Sequence, residues 1–335
     1  MGKGVQESSA SLARGSTLLV THPASSEHDT GPGHFETERR VEVLLEAVRA
    51  DAVLLRALRQ EEGTPAADED LLRVHTPEHL ARVREAAAEA GRRNELVWLD
   101  DDTPVSKGSF EAARAAAGVA ITAAEAVLAE PGTTAFALAR PPGHHAGAGR
   151  AMGFCLFNNL AIAVRSVQAR GSAGRVLVVD LDAHHGNGTQ DIFYEDPTVY
   201  VLSLHLGRDF PGTGTTAEKG KGPGEGTTRN VPLRRGTALP EYRRRYLQAL
   251  EVALASFEPD LVAVSMGLDT LAGDPQGGFS LEPRDLHVIT TDLLERLPSS
   301  SKGRVLAVLE GGYGLDRIGA GLVNVLRALA RLPAV

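Results

Sequence analysis

The sequence predicts an α/β fold in which a central, mainly parallel sheet carries helices on both faces. Short runs rich in Val and Leu recur without polar alternation, as strands buried on both faces require. Longer stretches between them place apolar residues at three- and four-residue steps, the mark of amphipathic helices. The two kinds alternate along the chain, which is the order that right-handed β-α-β crossovers produce.

In chain order, the first strand is expected at Thr17–Val20, followed by a helix carrying Val41, Leu44, Leu45, Val48, Ala52 and Leu55 on one face. A helix over Gly108–Ala129 leads to a strand at Ala135–Ala139, the weakest of the set because alanine favours helix. Next come a helix at Phe157–Arg170 and strands at Val176–Asp180 and Val199–Leu204. Gly212–Gly226 is too glycine-rich for either element and reads as a long surface loop. A helix at Glu241–Ser256, a strand at Leu261–Ser265, a helix at Pro283–Leu297, a strand at Val305–Leu309 and a helix at Leu315–Leu332 complete the order. The charged cluster Glu36, Glu38, Arg39 and Arg40 reads as a solvated helix start.

Composition narrows the function classes. The 335 residues are 42% hydrophobic and 23% charged, which excludes a mainly disordered chain. With Cys155 as the single cysteine, neither an intramolecular disulfide nor a cysteine-built zinc site is available. A formal net charge of −8 gives no basic field for nucleic acid and suits a cationic substrate. No uninterrupted apolar run approaches the roughly 20 residues of a membrane span. Residues 1–16 are polar and lack the apolar core of a signal peptide, so they are expected to form a flexible tail on a cytoplasmic protein. Residues 17–335 are expected to form a single catalytic domain.

Ligands of open parallel sheets bind beyond the carboxyl ends of the strands. There the sequence places RPPGHHA after Ala139, DLDAHHGNG from Asp180, MGLDTLAGDP after Ser265 and EGGYG after Leu309. Five of the eleven histidines lie at or just past strand ends, together with several carboxylates. Asp182 and His184, two residues apart, can turn one oxygen and one nitrogen to the same cation, and Asp269 is placed to supply a third ligand. Three protein ligands leave the open position that a catalytic metal needs. Zinc suits this set, and its two carboxylates admit ferrous iron or cobalt as competitors. A binuclear site is disfavoured, since no carboxylate follows His184 until Asp191. His144 and His145 follow a rigid Pro-Pro-Gly turn and can divide proton transfer from field tuning, with Asp180 and Asn187 as orienting partners. Tyr313, after two glycines, can aim its hydroxyl at a substrate carbonyl.

The motifs RPPGHHA, GFCLFNN (Gly153–Asn159), DLDAHHGNGTQDIF (Asp180–Phe193), SLH with FPGTG (Ser203–Gly214), NVPL (Asn230–Leu233), GLDTLAGDPQGG and LEGGY together resemble the zinc-dependent histone deacetylase family, over about Thr21 to Tyr313. HDTGPGH near residue 28 and LDDDTPVSKGSFEAA near residue 100 resemble its class II branch, with the bacterial deacetylases and acetylpolyamine amidohydrolases. The resemblance implies the arginase/deacetylase fold and hydrolysis of an acyl-lysine or acylated amine. It implies zinc on Asp182, His184 and Asp269. His145 would be general base and acid, His144 paired to Asp180 would act electrostatically, and Tyr313 would stabilise the oxyanion. A structural potassium ion is implied at Asp180, Asp182, His184, Ser203 and Leu204. Phe154 and Phe210 would wall a tunnel beside Gly153. Asn187 stands where class I members carry aspartate, which leaves His145 less biased toward its charged form. HFETERRV departs from the family's HPERPERL, so only Arg40 carries over as an inner-channel arginine. Gln276 falls where peptide-acting relatives carry leucine and polyamine-acting ones an acidic residue, so it leaves the substrate open between the two. Relatives acting on small molecules are often homo-oligomers.

Rival readings are weaker. Ala263-Val-Ser265-Met-Gly267 approximates a serine nucleophile elbow with His287 downstream, yet a Gly- and Asp-rich loop follows where a helix is required. Cys155 lies among Phe and Leu and reads as a buried, inert thiol. Gly214–Lys221 has the wrong spacing for a P-loop. A non-catalytic acyl-lysine binder would have lost a ligand or Tyr313, and an arginase-like ureohydrolase would need second-metal carboxylates.

Overall fold

The computed structural model describes residues 16–335, so the expected tail over residues 1–16 lies, but for Ser16, outside the described residues. Among the described residues there are ten strands: β1 (Thr17–Thr21), β2 (Leu58–Glu62), β3 (Val97–Asp100), β4 (Thr103–Val105), β5 (Thr134–Ala137), β6 (Val176–Asp180), β7 (Val199–Leu206), β8 (Thr228–Leu233), β9 (Leu261–Met266) and β10 (Val305–Leu309). The α-helices are α1 (Arg39–Ala50), α2 (Ala52–Ala57), α3 (Asp68–Leu71), α4 (Pro77–Arg93), α5 (Ser109–Ala129), α6 (Asn159–Ala169), α7 (Asn187–Phe193), α8 (Leu239–Ser256), α9 (Pro283–Arg296) and α10 (Ile318–Leu329).

Eight strands form one parallel sheet in the order β2-β1-β5-β10-β9-β6-β7-β8, and β3 and β4 pair separately as an antiparallel ribbon. Alternating side chains of each central strand enter different cores, as the two-residue period of a strand dictates. On β6, Leu177 and Val179 pack in one core with Leu44 of α1, Leu250 of α8, Ile289 of α9 and Leu326 of α10. Val176 and Val178 pack in the other with Val83 of α4, Ala120 of α5 and Ile162 of α6. All six strands expected from sequence are present, and all lie inside the sheet where they are buried on both faces.

The two sheet edges are the strands the sequence hid. β2 reads LRQEE and is largely exposed, so it lacks the apolar signal. β8 reads TRNVPL and carries Pro232, which only an edge tolerates well. The single helix expected between Val41 and Leu55 is two: Asp51 Oδ1 accepts from the N–H groups of Val53 and Leu54 and starts α2 afresh. One further expectation is corrected: Glu36 and Arg40 are not a solvated helix start, because both are 0% exposed. Helix α5, interrupted by Glu111, Arg114 and Glu125, is long and apolar enough by composition to cross a membrane, and its apolar window is 72% buried inside the fold.

Since the sheet is parallel, β5, β6, β9 and β10 end on the same rim, and the four motif loops emerge side by side.

Candidate metal and catalytic site

At the end of β6 the chain turns sharply, with Asp182 N donating to Asp180 Oδ1 at 3.1 Å. This turn brings His184 Nδ1 to 3.1 Å from Asp182 Oδ1 and 3.1 Å from Asp269 Oδ2, beyond β9. One ligand atom from each of the three lies within 4.8 Å of the others. The backbone fixes the carboxylates from behind: Ala183 N donates to Asp269 Oδ1 at 2.9 Å and Gly311 N to Asp182 Oδ2 at 2.8 Å. Position 311 must be glycine, because a β-carbon there would sit 2.4 Å from Asp269 Oδ2.

The donor set fits a divalent cation. Two fully buried carboxylates converge on a single imidazole nitrogen, an arrangement that is costly without a positive charge between them. Burial alone would push His184 down, yet hydrogen bonds to Asp182 and Asp269 and their charges raise it to about 11. Burial and the charge of Asp182 push Asp269 up. The site thus attracts positive charge from whatever source supplies it.

His144 and His145 leave the turn after β5 with opposite electrostatics. His144 donates from Nδ1 to Asp180 Oδ2 at 3.1 Å. Burial would lower it, but Asp182 and Asp180 raise it to about 10, so it is cationic. His145 shares a 2.8 Å hydrogen bond from Nδ1 to Asn187 Oδ1. Burial and the neighbouring His144 and His184 hold it well below the usual imidazole range, so it is neutral. Because an amide oxygen only accepts, Nδ1 carries the proton and Nε2 is left as a free base.

Of these groups, His145 and His184 line a cavity of about 250 Å³, together with Phe154, Phe210, Gln276 and Tyr313. The ring of Phe210 is edge-on to His145 at 5.0 Å, and that of Phe154 is edge-on to Tyr313 at 5.7 Å. Gly153, in the left-handed region at φ 58°, lets His145 and Phe210 close in; a β-carbon there would lie 2.5 Å from His145 Cδ2. Burial keeps the Tyr313 phenol well above its ordinary value, hence protonated.

The sequence-predicted residues Asp180, Asp182, His184, Asp269, His144, His145, Asn187, Phe154, Phe210, Gln276 and Tyr313 are therefore brought together. Ser203 and Leu204 also lie at this end: Asp180 and Ser203 are register partners on β6 and β7. Several supporting groups escaped sequence reasoning. Asp274 accepts from the backbone of Tyr313 at 2.7 Å and of Gly314 at 2.8 Å. Glu310 accepts from the backbone of Gly143 at 2.7 Å and of His144 at 3.0 Å. Asp102, beside the β3–β4 ribbon, accepts from Gly153 N at 3.2 Å. The first two were visible as acidic residues at strand ends, but nothing in sequence shows that their partners are backbone amides.

The rival nucleophiles do not assemble. Ser265 donates to Glu310 at 2.9 Å, while His287 is bonded to the carbonyl of Leu332 at 2.8 Å. Cys155 is fully buried, and burial pushes its thiol up.

The profile of the histone deacetylase domain matches residues 34–329. The chain is 39% identical over 295 residues to the histone deacetylase-like amidohydrolase of Pseudomonas aeruginosa, spanning 88% of this chain and 74% of that one. It is 36% identical over 301 residues to a probable deacetylase of Archaeoglobus fulgidus, spanning 90% and 82%. Among solved structures, the HD domain of HDA15 superposes with a TM-score of 0.88 at 32% identity, covering 96% of this chain and 91% of that one.

Proposed function

The chain belongs to the histone deacetylase family and has the arginase/deacetylase fold, and from that premise we propose that it hydrolyses the N-acyl bond, acetyl foremost, of lysine side chains or related amines. The observation that carries this reading is the convergence of Asp182, His184 and Asp269 at one cavity with a neutral His145 and a protonated Tyr313.

Asp182, His184 and Asp269 would hold zinc, or in its place ferrous iron or cobalt. When bound, such an ion supplies Lewis acidity to the acyl carbonyl and to the attacking water. The remaining work falls to the chain. His145 Nε2 takes the proton from water and returns it to the departing nitrogen, so that carboxylate and amine leave balanced. Asn187 holds the tautomer this requires. His144, kept cationic by Asp180 and Asp182, adds positive potential where negative charge develops. Tyr313 donates its hydroxyl to the carbonyl oxygen as that oxygen gains charge. Phe154 and Phe210 enclose a methylene chain and exclude water from the reacting bond.

Potassium on Asp180, Asp182, His184, Ser203 and Leu204 belongs to the same proposal, supported by the shared register of β6 and β7. So does one catalytic unit over residues 17–335, supported by a sheet whose strands run from Thr17 to Leu309. Gln276 puts a neutral amide at the cavity, which leaves lysine peptides and small acylamines both admissible. The deciding experiment compares turnover of acetyl-lysine peptides with acetylputrescine and acetylspermidine on zinc-reconstituted protein. Release of acetate from either class supports deacetylation and sets the substrate; release from neither overturns it.

A further inference from the structure

The outer edge of the sheet holds a second cavity of about 440 Å³, between β8, α8 and the loop 212–226, that shares no lining residue with the catalytic one. Lys219, Arg229 and Arg245 reach it from these three elements, and no Asp or Glu lines it. This charge distribution is unusual for a chain of net charge −8.

Four neighbouring cations are paired and these three are not. Lys221 pairs with Glu195, Arg235 with Asp209, Arg243 with Asp292 and Arg244 with Glu241. Among the described residues, Lys219, Arg229 and Arg245 have no carboxylate partner. Arg229 and Arg245 are nonetheless half-buried, and Nε of Arg229 is buried with no partner to replace its hydration.

A second observation points the same way. Thr228 Oγ1, Arg229 Nε and Asn230 Oδ1, all lining residues of this cavity, are buried with no hydrogen-bond partner. Thr228 is 4% and Asn230 6% exposed. Arg229 shares its face of β8 with Val231, on the side of α8, whereas Thr228 and Asn230 turn their side chains to the other face. The Nε–H of Arg229 is therefore the orphaned donor that an anion in this cavity satisfies.

We propose that this cavity is a binding site for a phosphoryl group carried on a small organic molecule. Two guanidinium forks and one ammonium suit a phosphate better than a lone carboxylate, since phosphate offers several oxygens in bidentate geometry. The volume exceeds the needs of one phosphate and falls in the range of small-molecule sites. Val231, Ala249 and Val252 form an apolar wall against which the organic part rests.

The site reaches toward the catalytic machinery. Asn230 Nδ2 donates to Gln190 Oε1 at 2.7 Å, which also takes the Nε2 proton of His185 at 3.1 Å. Gln190 sits on α7, the helix that begins with Asn187, the partner of His145.

Calorimetric titration of the full-length protein with inorganic phosphate and, separately, with ribose 5-phosphate tests this. Saturable binding with a Kd of about 1 mM or tighter is expected for at least one probe. Tighter binding of the ester assigns an organic phosphate, while equal or tighter binding of inorganic phosphate overturns the organic part of the proposal. Since Arg229 and Arg245 make no ion pairs, R229Q/R245Q should keep the parent melting temperature and weaken binding by at least about tenfold. Binding undiminished in that variant places the anion elsewhere and overturns the site; absence of binding by either probe overturns it as well. If R229Q/R245Q melts early, Lys219→Gln, on the exposed loop, replaces it and must weaken binding in the same direction.

Discussion

Glu36 and Arg140, 104 positions apart in sequence, meet through a 2.8 Å ion pair that has no access to solvent. The same carboxylate oxygen takes Arg40 at 2.9 Å, and Arg40 in turn donates to the carbonyls of Glu310 and Gly312. Arg140 opens the turn that carries His144 and His145; Glu310 and Gly312 flank the turn that carries Tyr313. One buried carboxylate therefore ties the loop of His144 and His145 to the loop of Tyr313. The two arginines hold Glu36 ionised, down to about 2, against the opposing effect of burial.

Glu36→Gln should accordingly destabilise the protein by about 3–5 kcal/mol, the cost of stranding buried charge. Urea denaturation measures this. A change below about 1 kcal/mol would show that the two arginines find other partners.

Tyr313→Phe keeps the ring, its edge contact with Phe154 and the Arg40 guanidinium stacked at 4.8 Å, and removes only the hydroxyl. The rate constant kcat should fall by about 10²–10³ with little change in melting temperature. Turnover equal to the parent would assign oxyanion stabilisation to another group.

Ser265→Ala separates structural from nucleophilic roles. The hydroxyl donates to Glu310, and both groups are fully buried. Losing that bond should cost about 1–3 kcal/mol of stability. A serine nucleophile would instead lose about 10⁶ in kcat. The expected result is a less stable protein that still turns over.

Chelation should abolish turnover and also lower the melting temperature, because Asp182 and Asp269 lose the charge that separates them. At free ion 100 to 1,000 times Kd, the stability difference is about 3–4 kcal/mol. Zinc or cobalt should restore both readings, and a melting temperature indifferent to chelator would reject the metal assignment.

Much of this site was legible before any coordinates because parallel topology sends every strand end to one rim. The motifs after β5, β6, β9 and β10 are contiguous in sequence, so Asp182, His184, Asp269, His145 and Tyr313 could be picked out as residues. The six interior strands were legible for the same reason that they are interior: burial on both faces leaves an unbroken apolar run. What escaped was set by tertiary pairing. β2 and β8 are polar because they are edges. Glu36 and Arg40 look like ordinary surface charges until Arg140 arrives from a distant turn. Asp274 and Glu310 act on backbone amides, which carry no sequence signature at all.

His75 gives the last prediction, on pH. Its Nδ1 donates to the carbonyl of Gly147 at 3.0 Å, and its Nε2 accepts from Asn158 N at 2.9 Å, so a second proton would break a buried bond. Burial and His79 hold it down to about 3, against 6.5 ordinarily. His28, bonded to Ser109 at 2.7 Å, is held to about 4, chiefly by burial. Both groups have folded values below their unfolded ones. Between pH 6.5 and 4 the unfolded chain therefore binds more protons, and each histidine removes up to about 1.4 kcal/mol of stability per pH unit of acidification. Glu310 opposes them: burial raises it to about 7 from 4.5, so it stabilises the fold at low pH and loses that contribution as pH rises from 4.5 to 7. Across pH 6.5 to 4.5 Glu310 cancels one histidine, while His205, also held to about 3 by burial, adds to His75 and His28, so the balance is a loss of stability as pH falls. Below 4.5 the cancellation ends and Glu36 begins to favour the protonated unfolded chain, so the decline steepens. Urea midpoints of zinc-loaded protein across pH 7 to 4 should trace this break. His75→Gln should make the slope shallower by about 1.4 kcal/mol per unit, and a slope identical to the parent would show that His75 is not held neutral.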